Sequence, residues 1–96
     1  MIDSFELSEN YRIIEAQVPE RFVGRTIGEV NFRAAYNLNV LTIIKMRAKT
    51  NILGNPYKKP EVLGVIGPDT RLEADDVLVL FGRPGDVKKC INPENR

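Results

Sequence analysis

Five consecutive apolar residues, Val77 to Phe81, stop at Gly82 and follow the acidic stretch Pro68 to Asp76. Side chains alternate along a strand, so Val77, Val79 and Phe81 face one side of a sheet and Leu78 and Leu80 the other. A strand that is apolar on both faces is covered on both faces. In a chain of 96 residues one cover can be the chain's own helix. The other has to be more of its own sheet, or another molecule.

The same patterning predicts the remaining elements. Tyr11 to Val18 is β-rich and ends at Pro19, which predicts a first strand. Thr26 followed by Glu29 is the spacing of a capping box, so a short helix is expected from there, broken near Asn31. Ile27, Val30 and Ala34 form its apolar stripe, and Asn37 or Asn39 is placed to end it in a left-handed conformation. Val40 to Arg47 predicts the second strong strand, with Lys45 and Arg47 on the face of Ile43 and with Ile44 and Met46 on the other. Residues 48–61 carry Gly54, Asn55, Pro56 and Pro60, which predicts an exposed loop or a loose hairpin. Val62 to Ile66 is expected as a third strand before the acidic turn at Asp75 and Asp76. After Gly82 a short helix follows, with Asp86 as N-cap and Val87, Cys90 and Ile91 as its packed face. Residues 1–10 lack periodicity and read as a lead-in or linker, residues 11–92 as one domain, and residues 93–96 as a polar, frayed tail. The expected class is α+β: a mainly antiparallel sheet of about four strands, a helix after the first strand and a short C-terminal helix.

Composition narrows the chemistry. A hydrophobic content of 43% is that of a globular domain, and 14 Lys plus Arg against 13 Asp plus Glu gives no overall reason to expect nucleic acid. Cys90 is the only cysteine, so no internal disulfide forms, and its helical, apolar setting predicts a buried structural thiol. No run of about eighteen apolar residues and no signal-peptide pattern is present, which predicts a cytoplasmic location, including that of the cytosolic domain of a membrane protein. Without histidine the commonest general base and metal ligand is missing, so neither an enzyme, a metal site nor a cofactor is expected. Glu73, Asp75 and Asp76 read as an acidic turn rather than a cation site, and the glycines do not form a phosphate loop. The most suggestive surface joins the strand Ile43 to Arg47 with Val65 to Pro68. Lys45 or Arg47 and free backbone amides suit a phosphate there, while Ile43, Ile44 and Val65 suit a planar base. On pattern alone, core or dimer interface is the stronger reading of those three apolar residues.

Four blocks in order, covering residues 11–82, resemble one known family. They are Tyr11 to Pro19; Gly24-Arg25-Thr26-Ile27-Gly28-Glu29-Val30-Asn31-Phe32-Arg33; Tyr36 to Lys45; and Pro68 to Gly82, with its Asp76-Val77-Leu78-Val79-Leu80 core. The family is the C-terminal regulatory domain of RCK/TrkA proteins (TrkA-C, or RCK-C), which controls bacterial potassium channels and transporters. The resemblance implies a homodimer formed across an apolar face, a membrane channel or transporter subunit as partner, and a ligand at the dimer cleft. In some members that ligand is cyclic di-AMP, held by the strand after the helix and by an Asn-Pro ahead of the last hairpin. Residue by residue this points to Ile43, Ile44 and Arg47, and to Ile66, Gly67 and Pro68. Gly67 stands where nucleotide-binding members have Asn, Asp75 replaces the usual turn glycine, and residues 48–61 exceed the usual connection and hold their own Asn55-Pro56. The alternative is a ligand-free dimerisation module of a transporter or transcriptional regulator.

Overall fold

The computed structural model describes residues 3–93. Five strands form one antiparallel sheet: β1 (Asp3–Glu6), β2 (Arg12–Gln17), β3 (Asn39–Thr50), β4 (Pro56–Val62) and β5 (Val77–Gly82), in the order β1-β2-β5-β3-β4. Between β2 and β3 lie a single 3-10 turn at Glu20–Phe22 and two short helices, α1 (Ile27–Val30) and α2 (Phe32–Tyr36), and α3 (Pro84–Ile91) follows β5. The expected α+β class is found, with five strands where about four were predicted. The extra strand, β1, falls in the opening segment, where the pattern gave no element; Phe5 pairs with Ile13. The part of the predicted tail at 94–96 lies outside the described residues.

β5 sits between β2 and β3, as its two-sided apolarity requires. Leu78 and Leu80 are fully buried and join Ile14, Ala16 and Ile43 in the core, which Val30, Phe32, Val87 and Cys90 of the helices complete. Val77, Val79 and Phe81 lie on the opposite face beside Ile44, Thr42, Ile13 and Glu15, and are half-buried. Tyr11 stacks on Phe81 at 5.5 Å between ring centroids. The helices thus cover one face of the sheet and leave the other open.

Helix starts and stops follow the local chemistry. Thr26 Oγ1 accepts from the Glu29 amide at 3.1 Å and Glu29 Oε1 accepts from the Thr26 amide at 2.7 Å, the predicted capping box. The latter bond and the Thr26 hydroxyl hold the Glu29 carboxyl below its ordinary pKa. Asn31 and Asn37, both at φ 57°, break and end the helical segment as predicted. The break shifts the helical phase, so Phe32 is buried and Ala34, expected in the apolar stripe, is exposed. Arg83, not Asp86, is the N-cap of α3; Pro84 takes the first helical position and the Asp86 carboxylate, one turn in, accepts from Arg83 Nε at 3.3 Å.

In the middle of the chain the hairpin expectation is met, in a more regular form, and the third-strand expectation fails. Residues 48–61 form a regular hairpin, with Lys49 opposite Tyr57 and Met46 opposite Pro60. The prolines are tolerated because β4 is an edge strand, where alternate amides face away from the ladder. Val62 ends β4 instead of beginning a strand to Ile66, because Gly64 turns the chain at φ 81°. The 63–66 segment is tied to β3 by Leu63 N–H to Ile43 C=O at 3.0 Å and by Thr42 Oγ1 to Gly64 C=O at 2.6 Å.

Of the basic residues of β3, Lys45 belongs to the interior, while Arg47 and Lys49 are exposed. Lys45 is buried and its Nζ donates to Asp76 Oδ2 at 2.6 Å, Glu73 Oε1 at 2.8 Å and the Arg71 carbonyl at 3.3 Å. Asp76, 2% exposed, also accepts from the Glu73 amide at 2.8 Å. The acidic turn, in which Asp75 takes φ 70°, is therefore a clamp on β3. Burial alone would lower the lysine pKa, but the Asp76 and Glu73 carboxylates outweigh it and raise it; Lys45 in turn lowers that of Glu73.

Lys45→Met should cost about 3–5 kcal/mol of unfolding free energy in urea titration, because it leaves Asp76 buried without its cation. Glu73→Gln, at an exposed partner, should cost about 1 kcal/mol or less. The Glu73 contribution is present above the ordinary carboxyl value of 4.5 and fades as pH falls through its depressed folded value. The Lys45 contribution is complete below the ordinary lysine value of 10.5 and fades as pH rises through its raised folded value. Stability measured against pH should show both losses in the wild type, only the alkaline one in Glu73→Gln, and neither in Lys45→Met.

Candidate functional site

A concave pocket of about 450 Å³ lies where α1, α2, the start of β3 and the 66–68 segment meet. That volume is within the range of small-molecule sites. Its apolar lining comes from Ile27, Phe32, Leu38, Val40, Ile66 and Pro68, and its polar groups from Asn31, Arg33 and Asn39. Gly28 and Gly67 complete it.

The walls are held by backbone hydrogen bonds between residues 24–28 and 67–72 around a single bridge, Thr26 opposite Arg71. Gly28 N–H donates to Pro68 C=O and Ile27 N–H to Thr70 C=O, both at 2.9 Å, and Leu72 N–H reaches Arg25 C=O at 2.8 Å. Gly28 permits this approach: a Cβ there would stand 3.1 Å from both the Cβ and the carbonyl oxygen of Pro68. Residues 67–70 form a tight turn closed by Thr70 N–H to Gly67 C=O at 3.1 Å, with the Gly67 amide donating to Thr70 Oγ1 at 3.3 Å. The floor is set by Leu38, which packs over Gly82 so closely that a Cβ at Gly82 would collide with its side chain. The strand that ends in glycine does so for this contact.

Arg33 is the one ionised side chain in the lining. Its guanidinium is exposed and donates to Asn39 Oδ1 at 3.0 Å. A guanidinium bonded only to a neutral amide keeps donors for an incoming anion. The pocket therefore combines apolar walls, two side-chain amides and one cation, which is recognition chemistry for a flat, anionic molecule.

Ile66, Gly67 and Pro68, three of the predicted ligand residues, stand together in this lining. Ile43, Ile44 and Arg47 are not part of it. Ile43 is fully buried in the core, and Ile44 lies on the open sheet face next to Val77 and Val62. Arg47 Nε donates to Glu61 at 3.1 Å on the exposed hairpin. Lys45, considered for a phosphate, is committed to Asp76 and Glu73. The strand instead enters the pocket with Asn39 and Val40, and the helices add Asn31 and Arg33. The asparagines were visible in the sequence as helix breakers, but their convergence with Gly67 depends on tertiary pairing.

Elsewhere, Cys90 is fully buried and its thiol is pushed up to about 11 by burial, against a smaller lowering by Arg21. Arg21 donates to the Cys90 carbonyl and lies 4.2 Å over the Phe22 ring. Among the described residues no group of His, Cys, Asp and Glu is arranged to hold a metal ion. No described helix is long and apolar enough to cross a membrane.

One covered sheet face, one open apolar face and a cleft beside the last turn define a small α+β domain of the RCK C type. The chain belongs to the TrkA-C domain family, whose pattern matches residues 11–92. The K(+)/H(+) antiporter subunit KhtT of Bacillus subtilis (strain 168) is 32% identical over 94 residues, covering 95% of this chain and 50% of KhtT. The chain thus spans about half the length of the curated relative it matches. The RCK C domain of the potassium transport protein KtrA, solved in complex with cyclic di-AMP, is similar over 80% of this chain and 75% of its own, with TM-score 0.59 and 25% identity. The GsuK channel bound to NAD shares the fold over 86% of this chain and 13% of its own, with TM-score 0.64 at 21% identity.

A thiol held at about 11 and shut in the core is a poor nucleophile at neutral pH. Cys90 should resist iodoacetamide in the native chain at pH 7.5 and react within minutes after denaturation; fast native labelling would show that α3 opens from the sheet.

Proposed function

We propose that this domain senses a small anionic ligand, a cyclic dinucleotide such as cyclic di-AMP, and regulates a potassium channel or transporter from the cytoplasmic side as a homodimer. The observation that carries the reading is the pocket at Ile66, Gly67 and Pro68, with Arg33 as its cation, in a chain similar to an RCK C domain solved with that nucleotide. The similarity to an antiporter subunit supports a transport partner.

In this reading the purine rings lie against Ile66, Pro68 and Val40, while Arg33 turns from Asn39 to a phosphate. The open face with Val77, Val79, Phe81 and Ile44 closes against a second copy. Ile44, which lies on that face, then approaches the ligand from the partner side, whereas Arg47, on the opposite face of β3, stays with Glu61. Ile43 backs the strand from within the core. A ligand that bridges two subunits favours the arrangement it bridges, by the difference in its affinity for the two arrangements. Binding and release are the whole cycle, with no turnover of the nucleotide.

A ligand-free dimerisation module is the second reading, and Gly67 favours it. No side chain at that position can hydrogen-bond a nucleotide, and the space around its Cα is open. The same open face then serves assembly alone.

Calorimetric titration with cyclic di-AMP separates the two. The sensor reading expects one nucleotide bound per two chains, recovered unhydrolysed, and an affinity reduced about tenfold or more by Arg33→Ala. An absence of heat and of competition in a dimeric protein would leave the assembly module.

A further inference from the structure

The β3–β4 hairpin ends in a braced turn that holds two apolar side chains in water. Asn51 Oδ1 accepts from the amides of Leu53 and Asn55, and the Asn51 amide donates to Asn55 C=O, all at 2.9 Å. At this tip Ile52 is 100% and Leu53 81% exposed. Directly behind them Tyr57 pairs with Lys49 across the strands, followed by Lys59 opposite Arg47 on the same face and Lys58 opposite Ala48 on the other. Residues 46–62 carry Arg47, Lys49, Lys58 and Lys59 against the single carboxylate of Glu61, a net +3 in a chain of net +1, which leaves −2 for the remainder. The balanced total conceals a strongly polarised molecule. Residues 46–50 carry the tip about 15 Å beyond the body of the sheet.

We propose that this arm docks the domain on an anionic lipid surface. Ile52 and Leu53 enter the acyl boundary, and Tyr57, Lys49, Lys58 and Lys59 lie at the level of the headgroups. From the tip inward the order is apolar side chains, then an amphipathic ring with cations, which is the order of chemistry across a membrane interface. Cations on both faces of the arm suit a plane met end-on, whereas a groove in a partner would engage one face. Lys58 is available to a lipid phosphate because its 2.8 Å pair with Asp75 is exposed at both ends and therefore weak. The inference goes beyond nucleotide sensing and does not depend on it.

The test is flotation of the 96-residue chain with vesicles of phosphatidylcholine alone and with one-third phosphatidylglycerol. The chain should float with the anionic vesicles only and be released as salt rises from about 0.1 M to about 0.5 M. Replacing Ile52 and Leu53 together by Ser should lower partitioning about tenfold or more. Lys49→Gln with Lys59→Gln should lower it several-fold. All four positions are exposed, so circular dichroism should be unchanged in both variants. No binding to anionic vesicles, or equal binding by wild type and variants, would overturn the proposal. Self-association in the absence of lipid that requires Ile52 and Leu53 would assign the tip to a second copy of the chain and overturn it equally.

Discussion

A central strand that is apolar on both sides governs the architecture. β5 must be sandwiched, and the described residues supply helices for one side only. Leu78 and Leu80 therefore sit under α1, α2 and α3, while Val77, Val79 and Phe81 wait on the other side with Ile13 and Ile44. The strand order follows from this need, since β2 and β3 flank β5 and the weaker strands β1 and β4 take the edges. The half-exposed apolar face makes assembly with another molecule the natural completion of the fold.

The Lys45, Asp76 and Glu73 cluster fastens this sheet. Two ionised groups inside a core are tolerated only when each satisfies the other and their remaining bonds are made. Asp76 meets that condition with Lys45 and the Glu73 amide, and Lys45 with both carboxylates and the Arg71 carbonyl. One consequence reaches the pocket: the turn that holds Asp76 is continuous with the segment that pairs with residues 24–28 and carries Pro68. Fixing β3 against this turn thus also fixes one wall of the cleft. A second consequence is that the cation nearest the middle of β3 is already committed, which leaves Arg33 as the one cation in the pocket lining.

The legible part of the fold was the part governed by local chemistry. The Thr26 to Glu29 capping box, the left-handed asparagines at 31 and 37, the packed face of α3 and the two faces of β5 all follow from short-range spacing. β4 was hidden because Pro56 and Pro60 speak against a strand unless it is known to be an edge. β1 was hidden because four residues carry too little periodicity to register. Half of the predicted ligand residues, Ile66, Gly67 and Pro68, converge on the pocket. Ile43 and Ile44 cannot share a ligand from one strand, since neighbours point to opposite faces. Arg33 and Asn39 were missed because a charge on a helix and an amide at a strand start carry no signal until the chain brings them together.

The proposed sensor depends on closure of the open sheet face by a second copy. Sedimentation equilibrium of the wild-type chain and of Ile44→Asp, over a hundredfold range of concentration, measures that closure. The account predicts a dimer mass for the wild type and a monomer mass for the variant, with the same circular dichroism. A wild type that stays monomeric throughout, or a variant that dimerises as well as the wild type, would contradict it.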